Sequence, residues 1–237
     1  MKIAIIGYGR MGKEIEKLAL QRGHDVVLKI DQDSWEHVNP KEFQQIDVAI
    51  EFTHPESAFQ NILKCFKSNI PVVSGTTGWI DDLDKVIEKC TTDGKSFFYA
   101  SNFSIGVNLF FKVNEFLASL MNNYTDYSVN IEETHHTKKL DAPSGTAISL
   151  AKGIINNINR VNKWEKDKSG EKDVIPVKSI RTGNVPGNHK VTYESEFDKI
   201  SIEHDAKSRL GFALGAVLAA EFIRGKKGFY TMDDMIN

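Results

Sequence analysis

Residues 2–12 read KIAIIGYGRMG, and this stretch decides the fold of the first part of the chain. Lys2–Ile6 is a short run rich in β-branched residues, which predicts a strand. The glycine pattern at 7–12 follows at once and leads into a run whose apolar residues recur at helical spacing. A glycine-rich turn between a strand and a helix is typical of a dinucleotide-binding loop.

A second signal follows the glycine loop. Val26 to Ile30 predicts the next strand, which ends on Asp31, an acid about 20 residues beyond the loop. The glycines would let the backbone approach a pyrophosphate, and Asp31 could accept a hydrogen bond from an adenosine ribose hydroxyl. The alternative is an ordinary glycine turn followed by an unrelated aspartate, but the strand–loop–helix context favours a dinucleotide site. Its candidate contacts are Gly7, Tyr8, Gly9, Arg10, Met11, Gly12 and Asp31.

The same alternation of strand and helix continues to about residue 99. Strands are predicted at Ile46–Phe52, Pro71–Ser74 and Ser96–Tyr99, with helices after Pro55 and from Asp81 to about Lys89. This order predicts a Rossmann-like, doubly wound parallel sheet of the α/β class, in which ligands bind beyond the carboxyl ends of the strands. Two small-residue loops follow strand ends and are candidate cofactor contacts, although each alone could be an ordinary turn. Their residues are Gly75, Thr76 and Thr77 in the first loop and Ala100, Ser101, Asn102 and Phe103 in the second.

The pattern changes after a helix predicted at about Gly106–Met121. Alternating apolar and polar residues near Tyr127–Ile131, Val174–Ile180, His189–Glu196 and Lys199–Glu203 predict a second, α+β domain with a mixed or antiparallel sheet. The polar stretch Asn159–Asp173 predicts an exposed loop. A last helix, from about Ser208 to Arg224, has an apolar face that favours a return to the first domain. We therefore expect a dinucleotide-binding domain at residues 1–103 and 208–237 and a second domain at 104–207.

Residues 132–147, EETHHTKKLDAPSGTA, carry the densest chemistry in the chain. Two imidazoles, His135 and His136, precede the ammonium group of Lys139, and Ser144 is a suitable N-cap for an amphipathic helix that follows. A helix start beside a lysine favours a carboxylate or phosphate, and histidine can move protons. The alternative is a solvated polar loop. A metal site is disfavoured because there is no HExxH motif or cysteine cluster.

Composition excludes several classes of protein. The chain has 237 residues, 41% of them hydrophobic, which is enough for a substantial core. A formal charge of −2 gives no electrostatic case for a nucleic acid or a membrane as partner. We expect no signal peptide before the first strand, no apolar run approaches a membrane span, and Cys65 and Cys90 are expected to be buried free thiols. We expect a cytoplasmic protein.

Several segments together resemble one enzyme family. HHTKKLDAPSGTA, at residues 135–147, is similar to the signature of the 4-hydroxy-tetrahydrodipicolinate (dihydrodipicolinate) reductases of diaminopimelate and lysine biosynthesis. Other similar segments occur in the family's order across nearly the whole chain. They are DVAIEFTHP (47–55), GTTG (75–78), NFSIGVN (102–108), GNVPGNH (183–189) and HDAKSR (204–209).

The resemblance implies roles for individual residues. It makes His135 a proton donor and acceptor, Lys139 a second proton-donating residue, and His136 a substrate contact. Ser144, Gly145 and Thr146 would bind a carboxylate of a small dicarboxylate substrate, and no metal is implied. The family implies an oxidoreductase that uses NADH or NADPH and is a homotetramer assembled through the sheet of the second, substrate-binding domain.

The chain departs from the family's pattern at the cofactor loop. Many members have GxxGRMG where this chain has GYGRMG, and many place a basic residue beside the acid that follows the second strand. Here Asp31 is followed by Gln32. A carboxylate without a neighbouring cation repels the 2′-phosphate of NADPH, so the sequence favours NADH mildly.

Two other functions would fit part of the sequence. A regulator that binds NADH without catalysis would usually carry a basic, DNA-reading helix, and the sequence shows no such module. A different nicotinamide enzyme acting on an amino or keto acid would share the glycine loop. The HHTKK and PSGT segments argue against it.

Overall fold

The computed structural model describes residues 1–31, 35–168, 173–208 and 210–237. The chain divides into two compact units, the first formed by Met1–Ile105 and Leu210–Asn237 and the second by Gly106–Arg209. Gln32, Arg209 and residues 169–172 of the predicted polar loop lie outside the described residues.

The described residues of unit 1 form a six-stranded sheet in which every strand pair is parallel. With elements numbered in chain order, the strands are β1 (Lys2–Ile6), β2 (Asp25–Ile30), β3 (Val48–Glu51), β4 (Val72–Ser74), β5 (Ser96–Tyr99) and β11 (Gly228–Tyr230), and the α-helices are α1 (Arg10–Gln21), α2 (Pro40–Phe43), α3 (Pro55–Lys67), α4 (Leu83–Thr92), α7 (Leu210–Ile223) and α8 (Met232–Ile236). The spatial order is β11-β5-β4-β3-β1-β2, so the direction of winding reverses between β1 and β3. Such a reversal opens a crevice at the carboxyl ends of the two strands.

Helices pack on both faces of this sheet. Successive side chains of a strand point to opposite faces, so β1 contributes residues to both cores. Ile3 and Ile5 of β1 pack into the core that includes residues of α1 and α7, whereas Ala4 and Ile6 join the core that includes residues of α3 and α4. This double burial explains why β1 is continuously apolar after Lys2 rather than alternating.

Unit 2 contains a mixed five-stranded sheet, counted over its described residues, with helices on one face. The strands are β6 (Ser128–His135), β7 (Lys163–Lys166), β8 (Val174–Arg181), β9 (Asn188–Glu194) and β10 (Lys199–Asp205), and the helices are α5 (Ile105–Met121) and α6 (Gly145–Ile155). The order is β10-β9-β6-β8-β7, with β6 antiparallel to β9 and parallel to β8. Phe110 of α5, Leu150 of α6 and Ile131 of β6 belong to one core.

The predicted fold class is confirmed, and the differences are local. The polar segment predicted as an exposed loop contains β7, which pairs in parallel with β8. Its sequence, KWEK, is charged because β7 lies at the edge of the sheet, and Trp164 contributes the apolar contact. The short elements β11 and α8 were not predicted, since three to five residues carry too little periodic signal.

The expected state of the cysteines is confirmed. Cys65 and Cys90 are buried and not disulfide-bonded, and burial raises the pKa of both thiols. Separately, among the described residues no helix combines the length and apolar character needed to cross a membrane.

We predict that Gly215→Ala in α7 lowers the free energy of unfolding by at least about 2 kcal/mol, because overpacking a rigid site forces the backbone to move. A Cβ atom at Gly215 would lie 1.7 Å from the carbonyl oxygen of Phe103. Gly211→Ala in the same helix is the matched control, since the nearest atom to its Cβ would be Oγ of Ser104 at 3.8 Å. Urea denaturation of both variants measures the difference, and equal stability of the two would contradict this packing.

Candidate active site

The crevice of unit 1 is a cleft of about 910 Å³ at the carboxyl ends of β1 and β3. Eight of the predicted cofactor contacts line it: Gly7, Gly9, Arg10, Met11, Asp31, Gly75, Thr76 and Thr77. Gly7 has a φ of +92°, and a Cβ atom there would lie 2.0 Å from the carbonyl oxygen of Phe52. The loop can therefore follow this path only with glycine at that position.

Asp31 is held towards the glycine loop by the backbone of that loop. The N–H of Tyr8 donates to Oδ1 of Asp31 over 2.7 Å. The Tyr8 hydroxyl is hydrogen-bonded to Glu16, whose carboxylate also pairs with Lys29 over 2.5 Å. Strand β2 and the loop are thereby joined, and the Asp31 carboxylate is fixed in the lining of the cleft.

The second predicted loop differs from the first. Ala100, Ser101, Asn102 and Phe103 are not among the residues that line the cleft. Phe103 is buried, and its ring lies 5.5 Å from that of Phe52 and 5.8 Å from that of Phe98, centroid to centroid. Asn102 accepts a hydrogen bond from the N–H of Ser104 at the start of α5. Tyr8 and Gly12 are likewise absent from the lining, although both belong to the glycine loop.

Several residues that line the cleft were not predicted, including Trp35, Thr53, His54, Asn61 and Lys64. Thr53 and His54 lie in the loop after β3, one of the two strands that flank the reversal in winding, and that position is the signal that could have identified them. Trp35 and Lys64 carry no comparable motif. They meet through the tertiary fold, where the Lys64 ammonium lies 4.3 Å from the centre of the Trp35 ring.

A buried carboxylate supports the cleft from below. Glu51, the last residue of β3, is fully buried and accepts hydrogen bonds from the hydroxyl groups of Ser74 (2.6 Å) and Thr76 (2.9 Å). It also accepts from the N–H of Thr53 over 3.1 Å. One side chain thus joins the ends of β3 and β4 and fixes the two loops that follow them.

The second chemical cluster lies in unit 2, around the last residue of β6. His135 is 7% exposed, and its Nδ1 faces the carboxylate of Glu133 in a short hydrogen bond. The other oxygen of Glu133 accepts from Nη2 of Arg181 on β8, over 2.8 Å. Burial opposes the charge on Glu133, but the hydrogen bonds from His135 and Arg181 outweigh burial and lower the pKa of this carboxyl to about 2.

A second buried histidine, which was not predicted as a site residue, lies beside His135. The ring of His189 is 5.0 Å from that of His135, edge to face, and its Nε2 is 3.0 Å from Oγ of Ser144. Burial, together with the charge of His135, lowers the pKa of His189 to about 3, so this ring is neutral. Its position in the GNVPGNH segment was the available signal, but only the pairing of β9 with β6 shows the contact.

The loop after β6 presents a cation beside a helix start. Nζ of Lys139 contacts both carboxylate oxygens of Asp141 at 2.8 Å, and this hydrogen bond lowers the pKa of Asp141. Ser144 is the N-cap of α6, as predicted, and its Oγ accepts from the N–H of Ala147. Gly145 is exposed and Thr146 is half-buried in the first turn, where helix N–H groups point outward and favour an anion.

His136 is the first residue of the loop after β6. Its N–H donates to the carbonyl oxygen of Val185 over 2.9 Å, and its own carbonyl oxygen accepts from the N–H of Lys139 over 3.1 Å. The ring is half-buried, whereas that of His135 is buried. The two adjacent histidines therefore occupy different environments, and the turn brings His136 and Lys139 to the same loop.

Glu133, His135 and His189 offer donor atoms that lie within 4.8 Å of one another, close enough for a metal ion. Their existing partners argue against a ligand set. The carboxylate of Glu133 is already paired with Arg181, whose positive charge would repel a cation, and its remaining oxygen faces Nδ1 of His135. The arrangement is that of a hydrogen-bonded acid–base cluster.

Unit 1 is a doubly wound unit with a cleft of the dinucleotide-binding type, and unit 2 carries buried histidines and a lysine beside a helix start. Together these features define the class of pyridine-nucleotide-dependent oxidoreductases. Residues 1–103 match the family described as "Dihydrodipicolinate reductase, N-terminus", and residues 106–236 match "Dihydrodipicolinate reductase, C-terminus". The chain belongs to the dihydrodipicolinate reductase family and is an oxidoreductase.

Curated relatives support this assignment over the full length. The chain is 53% identical over 237 residues to the 4-hydroxy-tetrahydrodipicolinate reductase of Christiangramia forsetii, covering 100% of this chain and 98% of that one. It is 32% identical over 265 aligned residues to the reductase of Neisseria meningitidis, covering 100% and 97%. Among solved structures, the dipicolinate-bound dihydrodipicolinate reductase from Paenisporosarcina sp. TG-14 has a TM-score of 0.79 at 24% identity, covering 100% and 99%, which shows a shared fold.

We predict that His189 makes stability depend on pH. In the unfolded chain its pKa returns to the ordinary value of 6.5, whereas the native ring takes up a proton only near pH 3. Protonation therefore favours unfolding, and stability falls as the pH drops from about 6.5, by up to about 1.4 kcal/mol per pH unit. Urea denaturation from pH 7 to pH 5 should show a smaller loss for His189→Asn than for the unmodified chain. Identical slopes would contradict a neutral His189.

Proposed function

We propose that this chain reduces 4-hydroxy-tetrahydrodipicolinate to tetrahydrodipicolinate, with hydride supplied by NADH or NADPH. The observation that carries the proposal is the cluster of His135, Lys139 and the α6 start, in a chain 53% identical to a reductase of that name. In the overall reaction the 4-hydroxyl group leaves as water, and a hydride and a proton are added to the unsaturated ring; the cofactor carries the hydride. What this chain supplies is position, charge and the proton.

Proton delivery falls to His135 or Lys139. Both side chains are of types that can donate a proton to a substrate. Nδ1 of His135 is hydrogen-bonded to the ionised carboxylate of Glu133. Lys139 rests on Asp141, and a substrate carboxylate would compete with Asp141 for that ammonium group.

Carboxylate binding falls to the first turn of α6. Ser144 caps the helix, Gly145 brings an exposed backbone to the site, and Thr146 adds a hydroxyl group. His136 would make a further substrate contact from the preceding turn. The relative from Paenisporosarcina binds dipicolinate, a planar ring with two carboxylates, which fits a site built from a helix start and a lysine.

For the cofactor we propose NADH as the better substrate. Asp31 is fixed by the N–H of Tyr8 at the rim of the cleft, where its negative charge would repel a 2′-phosphate. Gly7–Met11 and Gly75–Thr77 would hold the dinucleotide. Ala100–Phe103 follow β5 at the same edge of the sheet and would contact the cofactor through their exposed atoms, chiefly at Ser101.

We also propose that unit 1 binds the dinucleotide, that unit 2 binds the substrate, and that unit 2 assembles the chain into a homotetramer through its mixed sheet. Support for the homotetramer comes from the sheet face opposite α5 and α6. On that face residues such as Ser128 and Lys178 are exposed, and no described helix covers them. The unpaired thiols of Cys65 and Cys90 favour the reducing cytoplasm as its location.

We predict rapid NADH oxidation when the protein is mixed with freshly prepared condensation product of aspartate semialdehyde and pyruvate. His135→Gln and Lys139→Ala should each lower kcat by about 100-fold or more, because a positioned proton donor typically contributes that much. Binding of NADH, followed by fluorescence titration, should be unchanged. Lys138→Ala is the matched control, since Lys138 is exposed next to Lys139. An active double variant would show that the proton roles are misplaced, and an inactive unmodified chain would refute the function.

We predict a higher kcat/KM with NADH than with NADPH. Asp31→Asn retains an oxygen that can accept from the N–H of Tyr8 but removes the charge, so the ratio of kcat/KM for NADPH to that for NADH should rise. Steady-state kinetics with both cofactors measure this ratio in both proteins. Equal or better use of NADPH by the unmodified chain would contradict the preference.

A further inference from the structure

The hydrogen bonds of the Glu133 carboxylate determine which imidazole nitrogen of His135 faces away from it. One oxygen of Glu133, Oε1, accepts from Nη2 of Arg181 (2.8 Å) and from the N–H of Ser144 (3.3 Å). The other oxygen, Oε2, is left for Nδ1 of His135. An ionised carboxylate can only accept hydrogen bonds, so Nδ1 must carry the proton in this contact.

The same carboxylate remains ionised over any working pH, because its pKa is about 2. His135 is therefore confined to the form with Nδ1 protonated, whether the ring is neutral or charged. Nε2 is the nitrogen that gains or loses a proton. It lies beside Gly187, where a Cβ atom would come within 3.1 Å of Nε2, so a side chain at that position would crowd this nitrogen.

We infer that Glu133 and Arg181 are positioning residues that hold His135 in the Nδ1–H tautomer and present Nε2 as the atom that exchanges the proton. The inference rests on the proposed role of His135. Arg181 extends the same support to the lysine, because its Nη2 also donates to the carbonyl oxygen of Asp141 over 2.7 Å. The carboxylate of that Asp141 holds Lys139, so one guanidinium joins the supports of both proton donors.

Glu133→Gln tests this geometry without removing the side chain. Arg181 and the N–H of Ser144 both donate on the Oε1 side, so the amide oxygen must stay there and the amide NH₂ must face His135. Nδ1 would then have to accept, which moves the proton of the neutral ring to Nε2. A neutral ring that carries its only proton on Nε2 would become an anion if it donated that proton.

The expected result is a 10²–10⁴-fold loss of kcat, the size of effect seen when the partner that fixes a catalytic histidine's tautomer is replaced by an amide. KM and NADH binding should stay within about threefold of the unmodified values, because a tautomer change affects the chemical step rather than binding. Glu133→Asp, which retains a carboxylate, should recover part of the activity. Glu132→Gln is the matched control, since Glu132 is adjacent on β6 and pairs with Lys178 rather than with His135.

Nitrogen-15 NMR of histidine-labelled protein reads the tautomer directly. The chain has seven histidines, and the spectrum of His135→Gln identifies the signals of His135 by their loss. We expect the neutral ring to be protonated at Nδ1 in the unmodified protein and at Nε2 in Glu133→Gln. An Nε2–H ring in the unmodified protein would overturn the inference, as would a Glu133→Gln protein of normal kcat. The NMR result needs no turnover, so it stands apart from a failure of the proposed reaction.

Discussion

The buried carboxylate of Glu133 is the constraint on which the chemical cluster of unit 2 depends. It joins β6 to β8 through Arg181, touches the start of α6 through the N–H of Ser144, and holds the ring of His135. Removing one partner of such a buried pair leaves an uncompensated charge, which is costly, so these groups must fold together. The position of the histidine is therefore a property of the sheet and not of a mobile loop.

Unit 1 uses a buried carboxylate in a similar way. Glu51 joins the loops after β3 and β4 through hydroxyl groups, and Asp31 joins the end of β2 to the glycine loop. In both units an acidic side chain at or near the end of a strand fixes the neighbouring loops. Rigid loops of this kind reduce the entropy that must be lost when a dinucleotide or a small dicarboxylate binds.

Much of the fold could be predicted from sequence because its signals are local. The glycine loop, the strand Lys2–Ile6 and the N-cap Ser144 each depend on a few neighbouring residues, and the structure agrees with them. Strand β7 could not be predicted, because a charged edge strand is defined by its partner β8 rather than by its own pattern. His189 and Arg181 were missed for the same reason, since only strand pairing brings them to His135 and Glu133. Phe103 shows the reverse case, a residue in a motif whose ring fills the core.

The central claim is that this chain moves a hydride from a reduced nicotinamide to the ring of 4-hydroxy-tetrahydrodipicolinate. The most direct measurement uses NADH fully deuterated at C4 of the nicotinamide, in ordinary water, with mass spectrometry of the tetrahydrodipicolinate formed. Our account predicts that the product gains one deuterium per turnover, because the hydride comes from the cofactor and the proton from the protein. A product without deuterium, formed while NADH is consumed, would contradict it.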